Sequence, residues 1–194
     1  ATWRTSVLRA HTRGYCDGGV QTPYGPLATH LDYRQRVAVN AFGLGLYLEI
    51  GGAGIAAARS GKSPAELATG WVPLFEAAEG VGARVLITGL GTWPWEGRTS
   101  REPGHSAEDQ INGGIAALRE IAPIATDHDM LVSIHTAFFT AEEHRRLVEE
   151  ADSPHVGLCL DTANAFLVLE DPTDFATTVA PWVNATHLKD SAVY

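Results

Sequence analysis

Basic residues and cysteines are scarce in this 194-residue chain. Lysine and arginine together number 14 against 23 aspartates and glutamates, which gives a net charge of -9 and a pI near 5.3. Nucleic acids and anionic membrane surfaces attract positively charged proteins, so this average charge argues against binding to either. The only cysteines, Cys16 and Cys159, are far apart in sequence and do not form the pattern of a disulfide scaffold. Cys159 lies in an apolar run, where we expect a free, buried thiol.

Long apolar runs and nucleotide-binding motifs are absent as well. No segment is apolar over the roughly 20 residues that a membrane-spanning helix needs, and none has the pattern of a signal peptide. We therefore expect a cytoplasmic protein that makes no membrane contact. The glycine-rich run from Gly51 to Gly54 matches neither a dinucleotide-binding nor a phosphate-binding fingerprint. Hydrophobic residues make up 45% of the chain, an ordinary share for a single domain with a sizeable core.

Short apolar runs of strand length alternate with helical patterns along the chain. Strand-like runs lie at 3–10, 44–50, 84–88, 130–134, 156–160 and 185–188. Helical patterns lie at 27–42, 63–79, 107–127, 141–150 and 172–180, and we expect Gly70 and Pro73 to interrupt the second of these. This alternation predicts parallel strands joined by helical crossovers. A closed (β/α)8 barrel typically has ~250 residues, so the sequence predicts an α/β fold with an incomplete, TIM-barrel-like (β/α) repeat.

Polar side chains stand where the strand-like runs end. These residues are His11, Glu49, His135, Asp161 and His187. In a parallel sheet they would all lie at one rim, which is where chemistry gathers in (β/α) barrels. Carboxylates and imidazoles at one rim can hold a divalent metal, and neutral imidazole favours Mn, Co, Zn or Fe over Mg. His144, by contrast, falls within a helical pattern and is expected to be solvated.

Two of these runs resemble segments of a known family. The sequences LCLDTAN (158–164) and THLKD (186–190) are similar to the DTGN and HLKD segments of the sugar isomerase/epimerase-like barrels related to xylose isomerase. That superfamily includes endonuclease IV, inosose dehydratase and hydroxypyruvate isomerase. The resemblance runs from about Trp71 to Asp190 and is specific for the superfamily, not for one reaction. It implies that residues 1–194 are a single, partial barrel that lacks a strand between Ala58 and Trp71 and the last strand beyond Tyr194.

The resemblance also implies a divalent metal held by Asp161 and His187. Related barrels carry a Glu near the end of the LVSIH run, where this chain has His135. His135 either replaces that Glu as a metal ligand or lies where a substrate-binding residue lies. Because the Glu also moves a proton in the isomerases, His135 is a candidate for catalysis too. Glu49 resembles a Glu that lies near the substrate and is our second catalytic candidate; the alternative is a rim carboxylate paired with an arginine.

Four further residues are candidates for substrate binding. They are His11, Trp93, Asn164 and Lys189. Trp93 could close over the apolar CH face of a sugar ring, or it could pack its loop against the domain. Asn164 could hydrogen-bond a sugar hydroxyl or form a turn, and Lys189 could touch substrate or pair with Asp190.

These inferences lead to an expected activity. We expect a divalent-metal-dependent isomerase or epimerase that acts on a sugar, polyol or keto-sugar by proton transfer through a metal-stabilised enediolate. Two alternatives stay open: a dehydratase or lyase, because proton abstraction beside a carbonyl starts that reaction too, and a non-catalytic barrel that serves binding or assembly. A phosphodiesterase of the endonuclease IV kind would need more ligands and a basic face. A missing last strand would expose unpaired backbone groups, so we expect a homo-oligomer or a partner chain to cover that edge.

Overall fold

The computed structural model describes residues 9–12, 15–16, 19–22, 25–26, 46–50, 61–90 and 106–189. In chain order, the strands in these ranges are β1 (Arg9–Thr12), β2 (Tyr15–Cys16), β3 (Gly19–Thr22), β4 (Gly25–Pro26), β5 (Leu46–Ile50), β6 (Ala83–Thr88), β7 (Leu131–His135), β8 (Val156–Asp161) and β9 (Val183–His187). The helices are α1 (Pro64–Val81), α2 (Ala107–Asp127), α3 (Ala141–Ala151) and α4 (Pro172–Val179), with 3-10 helices at Asn164–Val168 and Ala180–Trp182. None of these helices is both long and apolar enough to cross a membrane.

Six strands form one parallel sheet in the order β1-β5-β6-β7-β8-β9. Spatial order follows chain order, and α1 to α4 connect consecutive strands from β5 onwards. The short strands β2, β3 and β4 form a separate antiparallel sheet. The predicted fold class is confirmed: the protein is an α/β half-barrel, an incomplete TIM barrel. The helical pattern at 27–42 lies outside the described residues.

Helices begin where the sequence places capping residues. At the start of α1, Ser63 N donates to Glu66 Oε2 at 2.7 Å, and Glu66 N donates to Ser63 Oγ at 3.3 Å. Thr140 and Glu143 make the same reciprocal pair at the start of α3, at 2.7 Å and 3.2 Å. Each pair satisfies two backbone N–H donors that a helix start would otherwise leave open.

The expectation that Gly70 and Pro73 interrupt α1 is wrong. The helix runs from Pro64 to Val81 with Pro73 inside it. A proline in a helix interior costs about 3 kcal/mol. The neighbouring Trp71 and Phe75 are 2% and 0% exposed, and burial of such a side chain contributes about 2–3 kcal/mol. Packing of this face against the sheet and α2 therefore outweighs the local preference of proline.

The register brings the carboxyl ends of β7, β8 and β9 together. His135 pairs with Cys159, and Asp161 pairs with His187. Alternate residues of a strand point to the same face, so Asp161 shares a face with Cys159 and hence with His135. The predicted strands at 130–134 and 185–188 are each shifted, which places His135 and His187 as the last residues of their strands.

A hydrogen bond from β7 to β9 that crosses β8 supports this register near the amino ends of the strands. The Ser133 hydroxyl, fully buried, donates to Asn184 Oδ1 at 2.6 Å, and this bond passes over Gly157. A Cβ at Gly157 would lie 2.5 Å from Asn184 Nδ2 and 2.6 Å from the carbonyl oxygen of Trp182. Glycine at this position therefore allows the Asn184 side chain to cross β8.

Candidate metal centre

Three possible metal ligands converge at the carboxyl ends of β7, β8 and β9. His135, Asp161 and His187 each offer one ligand atom, and these atoms all lie within 4.8 Å of one another. Asp161 is fully buried and His187 is 7% exposed, while His135 is half-buried. Nitrogen and oxygen atoms bound to one ion at about 2.1 Å are at most ~4.2 Å apart. Three atoms on one ion are about 3.4 Å apart in a tetrahedral site, so side-chain movements on the order of 1 Å would place all three on one divalent ion, and the residues fit such a group.

Asp161 is the hub of the cluster. Its Oδ2 accepts a hydrogen bond from His135 Nε2 at 3.0 Å and forms an ion pair with Lys189 Nζ, while its Oδ1 accepts from Ala163 N at 3.2 Å. Its own backbone N–H donates to Thr136 Oγ1 at 2.9 Å. Burial by itself raises the pKa of Asp161, but the hydrogen bonds from His135 and Lys189 outweigh it and lower the pKa to about 2. The carboxylate is therefore ionised at neutral pH, as a metal ligand must be.

The distance between His135 and Asp161 suits metal coordination as well as a hydrogen bond. His135 Nε2 and Asp161 Oδ2 are 3.0 Å apart. Two ligand atoms at about 2.1 Å from one ion and at right angles to each other are also about 3.0 Å apart. Binding of an ion between them therefore requires little movement of either side chain.

Ring contacts join the two histidines of the cluster to each other and to Tyr47. The rings of His135 and His187 have centroids 4.9 Å apart, and the ring of Tyr47 lies 6.0 Å from that of His187. Tyr47 belongs to β5, so this strand also contributes a side chain to the site. Tyr47 was not among the predicted site residues, although its position two residues before Glu49 on an apolar strand was a usable signal.

The structure describes some of the remaining candidate residues in more detail than others. His11 and Glu49 pair with each other in the register of β1 and β5, and Glu49 also pairs with Ile87 of β6. Asn164 begins a 3-10 helix, and its Nδ2 donates to the carbonyl oxygen of Thr136 at 2.9 Å, so this amide supports the end of β7. Trp93 lies outside the described residues. The substrate roles of these residues stay predictions.

Lys189 reaches Asp161 because its backbone is tied to the neighbouring loop. Lys189 N donates to Thr162 Oγ1 at 2.9 Å, and this hydroxyl donates to the carbonyl oxygen of Lys189 at 2.8 Å. Thr162 N in turn donates to the carbonyl oxygen of His187 at 3.2 Å. The ladder between β8 and β9 thus continues past the strand ends. Thr162 is a second residue outside the predicted set, since nothing in its local sequence indicates this bridge.

The expectation that His144 is solvated is wrong. It is fully buried, with edge contacts to Phe139 and Phe175, and its Nδ1 donates to the carbonyl oxygen of Thr140 at 2.9 Å. Burial lowers its pKa to about 4, so it is neutral at pH 7. The buried positions 141, 144, 147, 148 and 151 of α3 have the spacing of one helix face, and this spacing was the signal.

Solved structures of similar fold include a sugar epimerase and a probable dehydratase. A 3-keto-D-glucoside 4-epimerase from E. coli is 15% identical with a TM-score of 0.66, over 84% of this chain and 65% of that one. A probable 3-DHS dehydratase from Bacillus anthracis is 17% identical with a TM-score of 0.57, over 79% of this chain and 54% of that one. A xylose isomerase-like TIM barrel protein from Mycobacterium smegmatis, in complex with magnesium, is 20% identical with a TM-score of 0.56, over 85% and 58%.

These similarities show the fold, and this chain spans less than two thirds of the length of each of the three proteins. A search of curated proteins found no match. The sequence model of the family described as the xylose isomerase-like TIM barrel matches residues 44–193, which is more than half of the chain. The predicted resemblance is therefore confirmed, and the chain belongs to the xylose isomerase-like TIM barrel family.

Proposed function

We propose that this chain carries the metal centre of an isomerase or epimerase that moves a proton on a sugar-like substrate. The observation that carries the proposal is the convergence of His135, Asp161 and His187 at the carboxyl ends of adjacent parallel strands, with ligand atoms within 4.8 Å of one another. Active sites of (β/α) barrels form at this rim. The similarity in fold to a sugar epimerase supports the assignment of the reaction class.

His135, Asp161 and His187 would hold a divalent ion. The donor set of one carboxylate and two imidazoles favours Mn, Co, Zn or Fe over Mg, although one protein of similar fold is a magnesium complex. A bound divalent ion polarises a carbonyl group and makes the adjacent C–H more acidic. The buried, ionised Asp161 supplies the negative charge of the site, and the imidazoles bind as neutral rings.

Proton transfer is assigned to Glu49, with His135 as the alternative. The Nε2 of His135 faces Asp161 at 3.0 Å, so it cannot both ligate an ion and accept a proton there. Glu49 lies on β5, in register with His11 and two residues after Tyr47, whose ring is next to His187. One base can move a proton between adjacent carbons on the same face of a substrate, as isomerisation needs. Epimerisation needs a second group on the opposite face.

Substrate binding is assigned to His11, Trp93, Asn164 and Lys189. Lys189 has the clearest support, because its side chain is 46% exposed and yet reaches the buried Asp161. An ammonium group at the mouth of the site can bind a hydroxyl or a developing oxyanion of a sugar.

Metal content and hydrogen exchange with solvent test the proposal together. Purified chain is loaded with Mn²⁺, Co²⁺, Zn²⁺ or Mg²⁺, and the bound metal is counted by mass spectrometry. Ketoses are then incubated with it in deuterated water, and NMR detects deuterium on carbon. We expect metal binding and deuterium incorporation in the native chain and the loss of both in Asp161→Asn.

The matched control is Asp129→Asn. Asp129 is 89% exposed and lies before β7, far from the rim. It should keep metal and exchange at native levels. Equal metal content in native chain and Asp161→Asn would rule out the centre. Metal binding without exchange on any substrate would favour the non-catalytic alternative.

A dehydratase is the second candidate, because a probable 3-DHS dehydratase has a similar fold. Both reactions begin with removal of a proton next to a carbonyl, but a dehydratase then expels hydroxide and leaves a conjugated double bond. Ultraviolet absorbance of the product separates the two. Appearance of an absorbing, dehydrated product with hydroxy-keto acids, without isomerised sugar, would favour the dehydratase.

A further inference from the structure

One carboxylate oxygen of Asp161 already has two partners, an imidazole N–H and an ammonium group. Its Oδ2 accepts from His135 Nε2 and pairs with Lys189 Nζ, which uses both in-plane lone pairs of this atom. Its Oδ1 accepts from Ala163 N, and the residue is fully buried, so no open side of the carboxylate faces solvent. An ion that binds Oδ2 at the centre of His135, Asp161 and His187 must therefore break contacts that this oxygen already makes.

The partner that leaves is Lys189. His135 would change to the tautomer protonated on Nδ1 and bind the same ion through Nε2, so it stays beside the carboxylate. A divalent cation and an ammonium group at one carboxylate oxygen, by contrast, repel each other. The Lys189 side chain is 46% exposed and so has a route toward solvent.

The backbone of Lys189 stays in place during such an exchange. Thr162 Oγ1 bonds both its N–H and its carbonyl oxygen, at 2.9 Å and 2.8 Å. Only the flexible side chain then has to move, and its ammonium group remains tethered beside the site.

We propose that Lys189 is an internal counter-ion of Asp161 that a divalent ion displaces on binding, and that it thereby sets the metal affinity of the site. This inference rests on the proposed metal centre. Lys189 holds Asp161, Thr162 and the strand ends in the ligand arrangement before metal binds, and it makes each metal ion compete with a tethered cation. Metal binding also releases the ammonium group toward the mouth of the site.

Isothermal titration with Mn²⁺ or Zn²⁺ tests this without any activity measurement. Lys189→Met removes the charge and keeps the length of the side chain, and it should bind metal about tenfold or more tightly than the native chain, because the competing cation is gone. Lys189→Arg keeps the charge and should stay near native affinity. Lys62→Met, an exposed lysine before α1, is the control for net charge and should also stay near native affinity.

Thermal unfolding provides a second readout in case Lys189→Met is unstable without metal. Saturating Zn²⁺ should raise the Tm of Lys189→Met more than that of the native chain, and a variant unfolded without metal should fold when Zn²⁺ is added. Equal or weaker affinity in Lys189→Met, with metal binding by the native chain, would overturn the counter-ion role alone. Failure of both proteins to bind any of the ions would overturn the metal centre together with this inference.

Discussion

His144 links the burial of one residue to the pH dependence of stability. Its pKa is lowered from 6.5 to about 4 in the folded chain, chiefly by burial. Between these values the unfolded state binds a proton that the folded state does not. Stability is therefore constant above about pH 6.5 and falls as the pH is lowered toward 4. We expect the free energy of unfolding to be about 2 kcal/mol lower at pH 5 than at pH 7 because of this residue.

Urea unfolding at the two pH values measures this difference. His144→Leu should remove most of it, since leucine does not titrate, while His128→Gln, a change to a half-buried histidine after α2, should preserve it. The contribution of Asp161 falls in a different window, because its lowered pKa places the loss of its stabilisation between about pH 4 and 2. An unchanged pH dependence in His144→Leu would contradict the prediction.

Gly157 is the residue at which one methyl group should be most disruptive to the sheet. Gly157→Ala would place a Cβ 2.6 Å from the backbone oxygen of Trp182, and backbone cannot yield as a flexible side chain can. We expect a loss of at least about 2 kcal/mol of unfolding free energy. Gly70→Ala in α1 is the matched control, because nothing lies within 4 Å of its Cβ and the helix should gain about 0.5–1 kcal/mol. Urea unfolding of both variants provides the comparison, and a stable Gly157→Ala would refute the close contact.

At the residue scale, the sequence predicted positions better than contacts. Asp161 and His187 end apolar runs, and this alone placed them at one rim. The ion pair of Lys189 with Asp161 was not predictable, because it depends on the register of β8 and β9, which shifts between Leu158 and Cys159. No local pattern encodes such a shift.

At the scale of elements, the capping interaction of Thr140 at the start of α3 contributes to the stability of the fold. Thr140→Ala removes the hydroxyl that accepts from Glu143 N at 3.2 Å and should lower the free energy of unfolding by about 1 kcal/mol. Thr177→Ala in the exposed interior of α4 is the control, where alanine is the better helix former and stability should not fall. Denaturant midpoints of the two variants decide the matter. Equal losses would show that the threonine side chain, not its cap position, is responsible.

Helix starts were predictable and helix interiors less so. The Ser and Thr caps followed by Glu identify the first turns of α1 and α3 because the cap is a local interaction. The interruption predicted at Pro73 was wrong because the local penalty of proline is offset by packing of Trp71 and Phe75 against other elements. The same limit applies to His144, whose burial depends on where α4 packs.

For the whole molecule, alternation of strands and helices was sufficient to predict the parallel sheet. The βα unit is a local pattern, and parallel strands joined by right-handed crossovers then follow in chain order. What surrounds the side chains of β1 and β5 could not be predicted in the same way, because it depends on contacts between residues that are far apart in the sequence. Their backbone register places His11 beside Glu49, but their roles at the site stay predictions.

The edge strand β9 leads to a prediction for the state of the chain in solution. Within the described residues β9 pairs only with β8, and Leu188, the residue directly after β9, is 83% exposed. An open edge and exposed apolar groups favour pairing with another chain. We therefore expect the isolated chain to self-associate, so that sedimentation velocity gives a mass above 20.7 kDa.

Salt dependence and lysine substitutions distinguish pairing at the β9 edge from nonspecific association. Each copy carries a net charge of -9, so raising the salt concentration from roughly 0.05 to 0.5 M should strengthen association by screening repulsion between copies. Thr186→Lys places a charge on the exposed face of β9 and should shift the chain toward monomer, as lysine does at natural sheet edges. Thr177→Lys on α4 adds the same charge away from the edge and should leave the mass nearly unchanged. A native chain that sediments as a monomer at every concentration would show that β9 does not recruit a second copy.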